Sequence, residues 1–202
     1  MGLEYVDLMQ IHWPDVKTPI AESVDALERL QKAGKIRWFG VSNFSVSQLQ
    51  EAIDAGALTS TQPQYSLLER AIERDVLPFC QEHNIGVLSY GSLGAGALTG
   101  KFTTPPAVEG TEKRANFYKF FAPELWPKVL KLIDVLRGIA EAHNKPIAHV
   151  AINWAAQQKA VSTALVGVKN AQQAKMNAEA GAWELSPAEL ETINTQHKAI
   201  FG

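Results

Sequence analysis

Cysteine is nearly absent: Cys80 is the only one in 202 residues. One thiol cannot form an internal disulfide or a zinc centre, and within a helical pattern it reads as packing in a reducing cytoplasm. Charge of one sign is also missing. Nineteen Lys and Arg stand against 21 Asp and Glu, interspersed, for a net charge of −2. No basic face points to nucleic acid, and no polybasic segment points to a membrane surface. No apolar run exceeds the length of a strand, so no membrane-spanning helix is expected. Met1-Gly2-Leu3-Glu4 has neither a positive nor an apolar region, so no signal peptide is expected. No cluster has metal-ligand spacing and no G-x-S-x-G elbow occurs. The 46% hydrophobic content suffices for the core of one globular domain spanning 1–202.

What is present is an alternation. Leu3 to His12 reads as a buried strand. Thr18-Pro19 opens a helix with Pro at its first position, Ala21, Val24, Leu27 and Leu30 form its apolar stripe, and Gly34 stops it. Ile36 to Val41 is a second strand. Ser45-x-x-Gln48 is a capping box for a helix through Ala55, stopped by Gly56. Thr61 to Ser66 is a third strand, Ile72 to His83 a helix, and Ile85 to Ser89 a fourth strand. A long irregular stretch, Tyr90 to Leu125, follows, and loops of that length are usually functional. Helices are then expected over Trp126–Ala142 and Pro146–Gln158, and a fifth strand over Ala164–Val166. Asn170-x-x-Gln173 and Ser186-Pro187-x-Glu189 cap the last two helices. Strict alternation implies a parallel sheet, either a doubly wound open sheet or part of a (β/α)8 barrel.

The polar residues fall at the strand ends: Gln10-Ile11-His12, Ser42-Asn43, Gln62 and Gln64, Tyr90 with Gly91-Ser92-Leu93-Gly94, and Gly167-Val168-Lys169-Asn170. In a parallel α/β fold all these ends lie on one face, where ligands bind. Any one of them could be turn chemistry alone; five in series cannot be dismissed so easily. His83, His143, His149 and His197 fall on helix patterns or ends, where surface or capping roles suffice. Gly94 to Gly100 resembles G-x-G-x-x-G, but position 99 is Thr and no acidic residue is placed to hold a ribose. A glycine-rich loop still lets backbone N–H groups approach phosphate, and Lys101 adds charge. The helix after the fifth strand offers its N-terminus as an anion site beside Lys169.

The segments Tyr5-Val6-Asp7-Leu8 through His12-Trp13-Pro14, Gly34-Lys35-Ile36-Arg37 through Gly40-Val41-Ser42-Asn43-Phe44, Gln62-Pro63-Gln64-Tyr65-Ser66, Val87 through Leu93, Gly96 through Lys101, Gly167-Val168-Lys169-Asn170 and Gln173-x-x-x-Asn177 resemble the aldo-keto reductases over nearly the whole chain. The resemblance implies an NADP-dependent oxidoreductase acting between an aldehyde or ketone carbonyl and the nicotinamide. It implies that His12 is the active-site histidine. Ser42, Asn43 and Gln64 then grip the nicotinamide carboxamide, and Tyr90 stacks under the ring. Gly91, Ser92, Leu93, Gly94, Gly96 and the loop to Lys101 cover the pyrophosphate. Lys169 and Asn170 form the 2′-phosphate site, Gly167 before them also binds the cofactor, and Gln173 and Asn177 contact adenine. Phe39 and Ala95 depart from the family pattern, which more often has a smaller aliphatic and an Arg there.

The family's barrel begins about three strand-helix units earlier, and those units supply an Asp, the proton-donating Tyr and a Lys. The expectation is therefore an incomplete TIM-type barrel, about five of eight units. Its first and fifth strands would expose unpaired edges. Impaired activity of the chain alone follows, with self-association or pairing with a complementary N-terminal segment. The alternatives are a catalytically silent NADP-binding module and a truncated product.

Overall fold

The computed structural model describes residues 2–105 and 118–202. Residues 106–117 of the expected irregular stretch lie outside the described residues. The chain, read above as one domain, divides into two compact units. The first comprises Met1–Gln64, Ala71–Tyr90 and Ala160–Thr163; the second comprises Tyr65–Arg70, Gly91–Lys159 and Ala164–Gly202.

The strands are β1 (Val6–Ile11), β2 (Ile36–Ser42), β3 (Ser60–Gln62), β4 (Gly86–Ser89) and β5 (Val161–Ala164). They form one sheet in the order β1-β2-β3-β4-β5, and the three successive ladders from β1 to β4 are parallel. Strand order follows chain order with no switch point. A doubly wound sheet reverses order at a switch point, so of the two architectures left open the barrel type is the one observed.

Register is set by small residues. Gly40 lies opposite Gln10 on one side and Ser60 on the other. A Cβ on Gly40 would come within 2.7 Å of the Ser60 carbonyl oxygen, so only glycine lets β2 and β3 approach this closely. The opposite face of β2 packs Phe39 and Val41, both fully buried. In the same unit, α1 (Ile20–Lys32) contributes buried Val24 and Leu27, and α2 (Val46–Ala55) contributes Leu49 and Ala52. The Ser45/Gln48 capping box is present, with both reciprocal hydrogen bonds. Gly34 ends α1 at φ 68°, where its N–H donates to the Gln31 carbonyl.

Several boundaries differ from expectation, each for a local reason. Pro19 caps α1 in an extended conformation (ψ 138°) instead of occupying its first turn. The helix expected over Ile72–His83 breaks at Asp75. A 3₁₀ turn covers Ala71–Arg74, and α3 (Val76–Glu82) starts afresh because the Asp75 carboxylate takes the Val76 N–H. β3 is only three residues long, continued by an isolated parallel bridge from Gln64 to Tyr90. β5 begins three residues earlier than expected. There Ser162 lies against Gly86, and the Ser89 hydroxyl donates to the Thr163 carbonyl at 3.5 Å.

The second unit contains α4 (Trp126–Ala142), α5 (Ile147–Ala156), α6 (Ala171–Glu179) and α7 (Pro187–Phe201). Its core gathers Phe120, Phe121, Trp126, Val129 and Ile133 beneath Ala97 of the glycine-rich segment. The Ser186/Glu189 capping box starts α7 as expected. The Asn170/Gln173 pair does only half that work. Asn170 accepts the Gln173 N–H at 2.9 Å, but the Gln173 amide oxygen takes the N–H of Lys169 instead.

Candidate functional site

Four of the sequence-selected residues meet in the first unit. β2 ends at Ser42 and the chain turns at Asn43, whose φ of 62° is left-handed. Asn is among the few side chains that accept this conformation. The turn points its carboxamide back across the strand ends. Asn43 Nδ2 donates to the His12 carbonyl at 3.1 Å and to Ser42 Oγ at 3.0 Å. Asn43 Oδ1 accepts the Tyr90 hydroxyl at 2.9 Å. One amide thus ties together the ends of β1, β2 and β4. The His12 imidazole is exposed beside Trp13, ring centroids 6.3 Å apart. Ser42 is buried and donates its hydroxyl to the Gln62 carbonyl at 2.6 Å.

Gln62 belongs to this cluster, although the resemblance pointed to Gln64. Its carbonyl also accepts the Asn43 N–H at 3.4 Å, and its Nε2 donates to Gln10 Oε1 at 2.7 Å. The signal was available in the sequence: Gln62 falls at a strand end, two residues before Gln64. Gln64 is half-buried and reaches the cluster through its backbone bridge to Tyr90.

The remaining residues lie in the second unit. Between Gly91 and Lys101 the backbone turns repeatedly. Gly94, Ala95 and Gly96 all have positive φ, at 53°, 51° and 95°. A side chain at Gly94 would meet Leu68 Cδ1 at 2.9 Å. The N–H groups of Gly94, Gly96 and Leu98 are already used within the turn, by the carbonyls of Gly91 and Leu93. This corrects the simplest view of the loop as a row of open donors; exposed Lys101 carries its positive charge. Ser92 is buried and donates to the Leu165 carbonyl at 3.3 Å, so the segment that leads to Gly167, Lys169 and Asn170 is anchored to this turn. Gly167, Lys169 and Asn170 are exposed. The Asn177 side-chain oxygen is buried without a hydrogen-bond partner.

Two further features bear on chemistry. Among the described residues, no three His, Cys, Asp or Glu side chains gather to hold a metal ion. Nor, among the described residues, is any helix long and apolar enough to cross a membrane. A hollow of about 420 Å³ is lined by Asp7, Leu8, Trp38, Thr59 and Ser60. It sits below the strand ends that carry His12 and Asn43, and its lining holds none of the selected residues. His149, read as a surface or capping residue, is instead buried within α5.

The chain belongs to the aldo/keto reductase family, which it matches over residues 1–197. Its α/β fold is of the TIM-barrel type, and the match spans both units. The chain is 37% identical over 193 residues to the aldo-keto reductase YhdN of Bacillus subtilis, covering 95% of this chain and 58% of that protein. It is 31% identical to an Escherichia coli protein named NADH-specific methylglyoxal reductase, covering 99% of this chain and 61% of the other. Among solved structures, the glycerol dehydrogenase AKR11B4 of Gluconobacter oxydans superposes with a TM-score of 0.90 at 37% identity, covering 98% of this chain and 60% of the other. An aldo/keto reductase from Klebsiella pneumoniae, solved with NADP and acetate, superposes at 0.73 with 26% identity, covering 96% and 59%. The chain therefore spans about three fifths of the length of these relatives.

Proposed function

We propose that this chain binds NADP(H) and contributes the cofactor-holding part of a carbonyl reductase. The observation that carries the reading is the convergence of His12, Ser42 and Tyr90 on the Asn43 carboxamide. The residues of each unit have the chemistry that one end of the cofactor needs. Ser42 and Asn43, with Gln62 and Gln64 beside them, are donors and acceptors of the kind a nicotinamide carboxamide needs, and Tyr90 offers a ring for stacking. Gly91, Ser92, Leu93, Gly94, Gly96 and Lys101 suit the pyrophosphate, and Gly167, Lys169 and Asn170 suit a 2′-phosphate. Gln173 and Asn177 suit adenine, and the orphaned Asn177 oxygen is an acceptor awaiting a donor. The bound dinucleotide supplies or accepts the hydride.

The chain's own residues would then act on the carbonyl compound. His12 donates a hydrogen bond to the substrate oxygen, and Asn43 fixes the backbone from which His12 projects. Among the described residues, the four tyrosines are engaged elsewhere and none is offered as proton donor to the developing alkoxide. Tyr5 accepts from Arg37 at 2.7 Å, Tyr65 is buried against Trp154, Tyr90 is held by Asn43, and Tyr118 stacks on Phe120. A positioned general acid typically contributes about 10²–10⁴-fold, so the 202 residues by themselves turn over carbonyls slowly.

The same observation favours a second reading, a module that binds the nucleotide without turnover. Fluorescence titration with NADPH and NADH, followed by a carbonyl-dependent oxidation assay, separates the two. Tight NADPH binding with slow oxidation supports the first reading; binding with no oxidation at all supports the second. Failure to bind either nucleotide removes both. NADP over NAD rests on Lys169, since one relative is named for NADH and one structural neighbour holds NADP.

We also infer that β1 and β5, the outer strands of the sheet, take up further structure, by self-association or from a complementary segment. Met9 and Trp38 support this, being 45% and 56% exposed in the first unit. Light scattering on the purified chain reads the outcome: a strictly monodisperse monomer argues against self-association. A reducing compartment completes the reading, since Cys80 is a lone buried thiol.

A further inference from the structure

α5 is buried almost all round, yet it carries a polar stripe. His149 and Asn153, with Gln157 at its C-cap, recur every four residues and so share one face. All three serve one partner, the stretch from Met176 to Leu185. Asn153 Nδ2 donates to the Trp183 carbonyl at 2.8 Å. Gln157 Nε2 donates to the Leu185 carbonyl at 3.0 Å, and the Leu185 N–H donates back to Gln157 Oε1 at 2.9 Å. His149 Nε2 lies 2.7 Å from the Met176 carbonyl.

The histidine's tautomer follows from its neighbours. The Trp183 indole N–H can only donate, and it points at His149 Nδ1 at 3.4 Å. Nδ1 therefore accepts, the proton sits on Nε2, and Nε2 donates to Met176. That carbonyl needs an outside donor. Met176 lies in the last turn of α6, where carbonyls run out of helical partners, and the Ala180 N–H goes to Asn177 and Ala178 instead. The next residue is Asn177, whose side-chain oxygen is buried without a partner.

We propose that His149 is a positioning residue for the adenosine end of the dinucleotide: by donating to the Met176 carbonyl it fixes the last turn of α6 and with it the aim of Asn177. This rests on the reading of Gln173 and Asn177 as adenine contacts. It goes beyond that reading by placing the control of adenosine affinity in His149 of the buried helix α5, outside the proposed contact residues. His149 makes no use of the nicotinamide residues, so its loss is felt at one end of the ligand only.

The experiment is a binding titration of the full chain with three probes: NADPH, adenosine 2′,5′-bisphosphate and reduced nicotinamide mononucleotide. His149→Phe fills the space without a donor and leaves a buried carbonyl unsatisfied. Affinity for NADPH and for the bisphosphate falls about tenfold, while affinity for the mononucleotide stays unchanged. His149→Gln keeps an amide donor in reach of Met176 and restores bisphosphate affinity to within about twofold of the unmutated chain. Gln157→Leu, two turns along the same stripe, lowers the melting temperature but leaves all three affinities in place. Equal bisphosphate binding by His149→Phe and the unmutated chain overturns the proposal and leaves the cofactor reading standing. So does an equal loss in Gln157→Leu, which would mark the stripe as fold stability alone. If the unmutated chain binds neither NADPH nor the bisphosphate, the cofactor reading fails, and this proposal with it.

Discussion

The turn after β2 and the turn after β4 hold their polar groups in opposite ways. At the first, side chains do the work: one asparagine in a left-handed conformation bonds to His12, Ser42 and Tyr90. After β4 the backbone does it: glycines bend the chain, the N–H groups of Gly94, Gly96 and Leu98 are satisfied within the turn, and exposed Lys101 carries the charge. The turn after β5 combines exposed Lys169 with the side-chain caps of Asn170 and Gln173. A side-chain knot sets its geometry before any ligand arrives, whereas exposed lysines on a glycine-rich turn adapt to one. On the proposed cofactor reading, the nicotinamide end would be sensitive to shape and the phosphate end to salt.

The largest expected effect comes from cutting the knot. Asn43→Leu removes all three hydrogen bonds and puts a bulky side chain at a left-handed position. Stability is expected to fall by about 2–3 kcal/mol by chemical denaturation. Nicotinamide mononucleotide affinity is expected to fall by at least about 30-fold. Asn43→Asp keeps the acceptor for Tyr90 and should lose less. If the two substitutions behave alike, the Tyr90 link contributes nothing and the contrast between the turns weakens.

Next in size is the phosphate end. Lys169→Met should weaken NADPH binding about tenfold at low ionic strength, leave NADH binding unchanged, and lose most of its effect in about 0.5 M salt. Equal losses for both nucleotides would move the 2′-phosphate contact elsewhere. Tyr90→Phe is smaller. The ring stays for stacking and the hydroxyl's bond to Asn43 goes, costing about 0.5–1.5 kcal/mol, or a few-fold in NADPH affinity. Its effect should vanish in an Asn43→Leu background, since both changes remove the same bond.

Two tests lie outside the site and calibrate the rest. Burial pushes the Glu189 carboxyl up, but the Ser186 N–H, the His143 ring at 2.6 Å and the Ser186 hydroxyl together outweigh it and hold the group below its ordinary value. A carboxylate lowered on folding contributes stability above its unfolded value near 4.5, and that stability is lost as pH falls through the lower folded value. Glu189→Gln should therefore cost about 0.5–1 kcal/mol at neutral pH, and the difference should shrink in that acid range. Denaturation at pH 7 and below pH 4 checks it. Cys80 shows the smallest effect of all. Burial pushes its thiol up to about 12, so at pH 8 it should resist alkylation until the chain unfolds, as mass spectrometry would show.

The sequence carried most of the elements because each was marked at its ends. The Ser45/Gln48 and Ser186/Glu189 boxes, Gly34 and Gly56 are local signals, and local signals survive folding. Asp75 was missed because its neighbours keep a helical pattern while its own carboxylate caps a new start. β5 was misplaced because its register is a tertiary fact, fixed by Ser162 against Gly86 and Ser89 against Thr163. At the site, strand ends made His12, Ser42, Asn43 and Tyr90 visible. What joins them was not, since it requires the left-handed turn at Asn43. His149 reads from the sequence as a surface or capping residue, although a readable sign to the contrary exists. α5 is buried on nearly every face, and a polar residue in such a helix must find a partner.

The most direct measurement is the side-chain amide resonance of Asn43 in a ¹⁵N-labelled chain titrated with NADPH. The account predicts that this amide and the backbone of His12 shift together with Asn177, at one common affinity. Shifts confined to Gly94–Lys101 and α6, with the Asn43 amide unmoved at saturation, would contradict it.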